Sequence, residues 1–238
     1  MNSYASLEFL ALTENSLSGA IPSSLGNLSS LAVLIAAENQ LTGGIPASLA
    51  RLSNIHILDL TYNNLSGTVP NSIYNLSLLT YLGIAGNGLV GTLPSNMGNT
   101  LPNIENLVMS GNNFQGWIPG SLANATNLVI LHLAQNSFSG VIPSLGSLPN
   151  LQKLMLFQNQ WLEAGDWMFL SSLMNCTQLA MLTLDGNNLK GDLPSLVTNL
   201  SRSLEYLAGS NHITGTIPAG IGDLVSLSML YLRVLRVP

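Results

Sequence analysis

Residues 55–76 read IHILDLTYNNLSGTVPNSIYNL and contain one copy of a pattern that recurs along the chain. In this copy Leu58 and Leu60 precede Asn63, and a Gly-x-Val-Pro segment follows. Such self-similarity at a fixed period is typical of an array of stacked repeats. We number the repeats one to nine, each by the asparagine that corresponds to Asn63. The ladder asparagines, which return at steps of 23 to 28 residues, are Asn15, Asn39, Asn63, Asn87, Asn112, Asn136, Asn159, Asn187 and Asn211.

The repeat unit predicts the fold. Leu58 and Leu60 alternate, so both side chains point to one face of a short strand. Stacking that strand once per repeat makes a parallel sheet with strands about 4.8 Å apart. The side-chain amide of Asn63 both donates and accepts hydrogen bonds and is expected to pair backbone groups of the turn. Gly67 permits a bend, and Pro70 ends regular pairing.

We therefore predict an α/β solenoid with a parallel sheet on its concave face. Its convex side is expected to be irregular, 3-10 helical or short α-helical. A tenth unit begins at Leu227, and no linker interrupts the pattern. Residues 1–238 are interpreted as one domain, a single array of about nine repeats and a partial tenth.

Three repeats depart from the pattern. In repeat seven, Gly165-Asp166 followed by WMFLSSL predicts a cap and a short helix over residues 166–173, with Trp167 facing inward. Repeat nine has one residue fewer before Asn211, which places Ala208 or Gly209 where a second inward leucine is expected. In the tenth unit, Leu235 stands where the ladder asparagine is expected. We expect both ends of the array to lack caps.

Composition excludes several classes of function. Apolar residues make up 47% of the chain, so it is not disordered. Only six Lys and Arg face eleven Asp and Glu, so we expect no nucleic-acid partner. The apolar run 31–37 is too short to span a bilayer, and the N-terminus lacks the basic segment of a signal peptide. We expect no membrane contact from this chain itself.

Catalytic and metal-binding groups are sparse. His56, His132 and His212 lie three repeats apart, about 14 Å from one another along a parallel sheet, so they cannot share a metal ion. The single cysteine, Cys176, occupies an apolar position of the repeat and is expected to be a buried thiol. We predict no catalytic residues, no metal site, no cofactor and no enzymatic activity.

The outward strand positions of the concave face are the best candidate for binding. They alternate with the inward leucines and collect apolar, aromatic and charged side chains in repeats six to nine. Such groups on a rigid scaffold often mark an interaction surface. The alternative is that these are generic strand residues without a shared role. The candidate ligand-binding residues are His132, Lys153, Met155, Phe157, Met181, Asp185 and Tyr206.

Six N-glycosylation sequons occur, about as many as chance would give in so asparagine-rich a chain. Their number therefore says nothing about secretion. We expect them to carry glycans only if the chain lies outside the cell. The acceptors are Asn27, Asn64, Asn75, Asn124, Asn175 and Asn199.

The unit LxxLxLxxNxLxGxIPxxLxxLxx resembles the plant-specific leucine-rich repeat over nearly the whole chain. That repeat occurs in ectodomains of receptor-like kinases and in polygalacturonase inhibitors. Repeat seven reads WLEAGDWMFLSSLMNCT over residues 161–177 in place of Gly-x-Ile-Pro. This segment is similar to the corresponding repeat of the receptor-kinase subfamily that includes the rice bacterial-blight receptor and the elongation-factor-Tu receptor.

The resemblance implies a leucine-rich-repeat solenoid at the extracellular face of the plasma membrane, as part of a receptor-like kinase ectodomain. Its implied partners are a peptide or protein ligand and a leucine-rich-repeat co-receptor, in defence or developmental signalling. The chain has no paired-cysteine cap and no kinase motif, so we interpret it as a fragment of that family. The alternatives are a soluble cell-wall protein similar to a polygalacturonase inhibitor and a non-functional truncated product.

Overall fold

The computed structural model describes residues 6–159, 161–209 and 211–231. Each repeat contributes one strand to a parallel sheet, and most repeats contribute a second strand just after the ladder asparagine. The strands are β1 Phe9–Ala11, β2 Ser18–Ala20, β3 Val33–Ile35, β4 Gln40–Gly43, β5 Ile57–Asp59, β6 Asn64–Thr68, β7 Tyr81–Gly83, β8 Gly88–Gly91, β9 Asn106–Val108, β10 Asn113–Gly116, β11 Ile130–His132, β12 Ser137–Val141, β13 Lys153–Met155, β14 Trp161–Glu163, β15 Met181–Thr183, β16 Lys190–Asp192, β17 Tyr206–Ala208, β18 His212–Thr214 and β19 Met229–Tyr231.

The odd-numbered strands form one ten-stranded parallel sheet in chain order. Its register is uniform, so that the central leucine of each strand pairs with the central leucine of the next, as Leu34 does with Leu58 and Leu58 with Leu82. These leucines are buried in the core. The predicted solenoid with a parallel sheet on its concave face is thereby confirmed, and strand β19 adds the tenth unit in register.

The convex side carries short helical turns, as predicted. Most begin after the proline of the Gly-x-Ile-Pro segment, because proline fixes φ and needs no hydrogen bond from its nitrogen. The α-helices are α1 Met97–Thr100 and α2 Met168–Leu173. The 3-10 turns are Ser23–Asn27, Ala47–Arg51, Ile73–Asn75, Gly120–Asn124, Ser195–Asn199 and Ala219–Asp223.

The ladder asparagines join neighbouring repeats. The amide nitrogen of Asn63 donates to the Leu60 carbonyl in its own repeat, at 3.1 Å, and to the Ala36 carbonyl in the preceding one, at 3.0 Å. Its side-chain oxygen accepts from the Leu41 backbone N–H, also in the preceding repeat, at 3.0 Å. The same arrangement recurs at Asn39, Asn87, Asn112, Asn136 and Asn159.

Repeat seven shifts this ladder. The step from Asn159 to Asn187 is 28 residues, and the Asn187 side-chain oxygen accepts from the Asn159 N–H, at 3.1 Å, rather than from the N–H two residues further on. The sheet of even-numbered strands also breaks here, since β14 ends a seven-stranded sheet and, in the described part of the chain, β16 pairs only with β18. The longer repeat thus interrupts the second sheet while the ten-stranded sheet continues.

The extra residues of repeat seven form the expected helix. Asp166 accepts a hydrogen bond from the Met168 N–H, at 3.1 Å, and α2 begins at that residue. Trp167 precedes the helix in a left-handed conformation, with φ 65°, and its ring is buried against Phe169. The inward positions Leu170 and Leu173 are buried as well. The prediction for this segment is confirmed, although Trp167 lies just before the helix rather than within it.

Repeat nine has a defect at the predicted place. Gly209 donates to the Tyr231 carbonyl, as Leu60 does to the Gly83 carbonyl, so it occupies the position of the second inward leucine. The missing residue therefore falls after the strand, and the core loses one leucine side chain. Leu235 of the tenth unit, predicted to stand in place of a ladder asparagine, lies outside the described residues.

Cys176 is buried, and burial raises the pKa of its thiol to about 11.

We predict that Asn136→Ala destabilises the chain by at least about 2 kcal/mol, because it leaves the Phe114 N–H and backbone carbonyls of two repeats without their partner. Asn15→Ala is the control, since within the described residues that exposed side chain bonds only to carbonyls of its own repeat. Urea unfolding of both variants measures the difference. Equal losses of unfolding free energy in the two variants would show that the asparagine hydrogen bonds between repeats contribute nothing to stability.

We also predict that amides of repeat nine exchange with solvent faster than those of repeat three. Gly209 replaces a buried leucine, and a lost leucine side chain costs about 2–5 kcal/mol in a packed core. Hydrogen exchange followed by mass spectrometry compares the peptide around Leu207 with that around Leu58. Equal protection would contradict the prediction.

Candidate functional site

The ten-stranded sheet arranges its outward side chains in straight columns. The first and third residues of each strand face away from the inward leucine, and strand pairing aligns them across repeats. One column runs through Ile130, Lys153, Met181 and Tyr206. The parallel column runs through His132, Met155 and Thr183.

The seven predicted ligand-binding residues lie together on this face, and we name them the concave cluster. Five belong to strands β11, β13, β15 and β17, whereas Phe157 follows β13 and Asp185 follows β15 within the continuing backbone ladder. Lys153 is exposed, and the other six side chains are half-buried. The sheet therefore brings all seven side chains to one surface four repeats wide.

His132 is a half-buried polar group of the concave cluster. Its ring lies 6.0 Å from the Phe157 ring, and its Nδ1 is 3.5 Å from the Ser110 hydroxyl. Its Nε2 is shielded from solvent and has no hydrogen-bond partner within the described part of the chain. Burial lowers the pKa of His132, so the imidazole is neutral at pH 7.

The charged members of the concave cluster are Lys153 and Asp185. Among the described residues, the side chains of Lys153 and Asp185 form no hydrogen bond or ion pair. Thr183, between them in the sheet, is buried, and its hydroxyl also lacks a partner in the described ranges. Thr183 is not among the predicted ligand-binding residues, although the period of two within a strand assigns it to the same outward column as His132 and Met155.

A second polar group lies in repeats three and four, where sequence analysis named no site. The Thr61 N–H donates to the Asp59 carboxylate at 3.0 Å. Burial raises the pKa of Tyr81, and the charge and hydrogen bonding of Asp59 raise it further. A side chain at Gly83 would collide with all three of these residues, so this glycine makes the cluster possible. The sequence feature that could have indicated this group is Gly83 at an outward strand position, opposite Asp59 on the neighbouring strand.

The titratable side chains of the concave cluster are those of His132, Lys153, Asp185 and Tyr206. Within the described ranges, no three His, Cys, Asp or Glu side chains gather in a way that could hold a metal ion. In the same residues, the longest α-helix is the six-residue α2, and no helix is long and apolar enough to span a bilayer.

We predict that the chain loses stability as the pH falls from 7 to 5, partly through His132. The unfolded histidine takes up a proton near its ordinary pKa of about 6.5, whereas the folded one has a lowered pKa, so acid favours unfolding across that interval. His132→Gln should flatten the pH dependence of the unfolding free energy. Gln152→Ala, at an exposed position, is the control, since it removes no titratable group and should leave the slope unchanged. A slope unaffected by His132→Gln would refute the assignment.

Comparisons with known proteins agree with this architecture. The family model described as leucine-rich repeat region matches residues 48–237, and a leucine rich repeat model matches residues 6–28. The receptor kinase-like protein Xa21 of Oryza sativa is 50% identical over 90 residues, which cover 37% of this chain and 9% of that protein. The LRR receptor-like serine/threonine-protein kinase EFR of Arabidopsis thaliana is 48% identical over 66 residues, covering 27% of this chain and 6% of that protein.

A solved structure extends the similarity to almost the whole chain. The Arabidopsis receptor kinase HAESA, in complex with the peptide hormone IDA and the co-receptor SERK1, superposes with a TM-score of 0.76 and 32% identity. The match covers 96% of this chain and 42% of that one. The chain thus spans less than a tenth of the curated relatives over the matched segments and less than half of this structure. The chain belongs to the leucine-rich repeat family, and its relatives are plant leucine-rich repeat receptor kinases.

Proposed function

We propose that this chain is a non-catalytic recognition module, part of the extracellular ligand-binding region of a plant receptor-like kinase, and that residues 1–238 act as one array. The observation that carries the proposal is the concave cluster. Its registered strands present Met155, Phe157 and Met181 beside the charges of Lys153 and Asp185, which are unpaired within the described residues. Apolar and aromatic anchors flanked by uncompensated charges suit a peptide or a protein segment.

The ligand is proposed to lie across repeats six to nine in an extended conformation. The columns are straight and one repeat apart, so successive side chains of an extended peptide can meet successive strands. Lys153 and Asp185 would fix its direction by pairing with opposite charges, which contributes more to specificity than to affinity. HAESA, which has the same fold, holds a peptide hormone together with a co-receptor, and we propose a leucine-rich-repeat co-receptor for this chain too.

The proposed place of action is the extracellular face of the plasma membrane, in defence or developmental signalling. All six sequon asparagines are exposed, as glycan acceptors must be. Four of them end 3-10 turns on the convex side, at Asn27, Asn75, Asn124 and Asn199, away from the concave cluster. We propose that glycans on these residues would leave the ligand surface free.

Binding can be tested with peptides selected from a random-peptide phage library on the immobilised chain. We expect Phe157→Ala and Met181→Ala each to weaken the selected peptides about tenfold, because anchors of this kind contribute more than 1 kcal/mol. Met168→Ala is the matched control, since Met168 is exposed on the convex side. Biolayer interferometry measures the affinities.

Two outcomes would contradict the proposal. Peptides that bind both concave variants as tightly as the unaltered chain would place the site elsewhere. Failure to select any peptide whose binding depends on the concave cluster would argue against peptide recognition. Circular dichroism of each variant, with unchanged unfolding midpoints, separates lost contacts from lost folding.

A further inference from the structure

Tyr74 is an anomaly of repeat three. It follows the apolar anchor Ile73 of its 3-10 turn, a position where most other repeats carry a small residue. Its side chain is only 1% exposed, and its hydroxyl is buried with no hydrogen-bond partner in the described part of the chain. The small residues at the corresponding positions are Gly26, Ala50, Gly98, Ala123, Gly146, Thr198 and Gly222.

An unpaired buried hydroxyl is costly, roughly 1–3 kcal/mol, so a partner for it is expected. Burial raises the pKa of Tyr74, which keeps the phenol protonated and able to donate. Tyr74 forms part of the wall of a cleft of about 390 Å³ between repeats three and four. The cleft also has polar groups from Thr68, Asn71 and Thr92, and the buried ring of Phe114 forms part of its apolar surface.

A second cleft, of about 440 Å³, adjoins the first and shares Thr92 with it. Its walls include Ser95 and Trp117, whose side chain is 77% exposed. The indole lies over Gly140, where a Cβ would approach it within 3.0 Å, so the ring is supported by the next repeat. We name the two clefts together the lateral groove, lined by Thr68, Asn71, Tyr74, Thr92, Ser95 and Trp117 among others.

The lateral groove is lined by neutral side chains. None of the described residues that line either cleft is charged. An ionic ligand would lose its hydration without gaining a counter-charge, and a purely apolar one would leave the Tyr74 hydroxyl unpaired. Hydroxyls, one amide and an exposed indole instead match a ligand with many hydroxyl groups and apolar C–H faces. Each cleft also has the volume of an ordinary small-ligand pocket.

We propose that the lateral groove is a binding site for a neutral oligosaccharide. On binding, a small shift of the wall of the first cleft exposes the Tyr74 hydroxyl, which is shielded in the unliganded chain, and this hydroxyl donates to a sugar hydroxyl. Thr92 contacts the oligosaccharide between the two clefts, and Trp117 stacks on a sugar ring in the second cleft. The site lies among the even-numbered strands and the convex turns, apart from the concave cluster. It is therefore independent of the peptide recognition proposed above.

The test uses isothermal titration calorimetry of the whole chain with neutral hexasaccharides of β-1,4-linked glucose, xylose and mannose, and with anionic hexagalacturonate. We expect at least one neutral hexasaccharide to bind and hexagalacturonate not to bind. Tyr74→Phe should weaken binding about fivefold, the value of one neutral hydrogen bond, without lowering stability. Trp117→Ala should weaken it more than tenfold.

Trp161→Ala is the matched control, since Trp161 is similarly exposed but lines neither cleft. It should bind the hexasaccharide as the unaltered chain does, and so should Phe157→Ala on the concave face. Absence of binding by all three neutral sugars would overturn the proposal. Equal hexasaccharide affinities of the Tyr74→Phe and Trp161→Ala variants would also overturn it. The Tyr74 hydroxyl would then make no contact with the sugar, and the cleft beside it would hold only water.

Discussion

The hydrogen bonds of the ladder asparagines between repeats are the interaction on which the rest of the structure depends. Each repeat is too small to bury its apolar face alone, so its order comes from its neighbours. The Asn63 side chain is buried and satisfies backbone groups of two repeats at once. It thereby fixes the position of one repeat relative to the preceding repeat along the solenoid. The uniform register of the ten-stranded sheet follows, and with it the straight columns of the concave face.

Much of this was predictable because the repeat is periodic. Counting by two within a strand and by about 24 between strands assigns the outward columns, and the observed pairing of Lys153 with Met181 and of His132 with Met155 agrees with that count. The helix of repeat seven was readable because Asp166 before an apolar run is a strong local signal. The missing leucine of repeat nine required only an alignment of the repeats.

Interactions that leave no periodic trace were not predictable. The altered bonding of Asn187 depends on how four extra residues are accommodated in three dimensions, which the sequence does not specify. The group around Asp59 and Tyr81 depends on a diagonal approach across strands over Gly83. Tyr74 stands out in an alignment of repeats, but only the packed clefts show that its hydroxyl lacks a partner.

The central claim is that the ladder asparagines from Asn39 to Asn187 support the repeat before them as well as their own. Site-resolved hydrogen exchange of Asn112→Ala tests this most directly, because the Asn112 side-chain oxygen accepts from the Leu89 N–H, at 3.0 Å, in repeat four. The account predicts that the Leu89 amide loses protection in this variant, although the substitution lies in repeat five. Loss of protection confined to repeat five, with Leu89 unchanged, would contradict it.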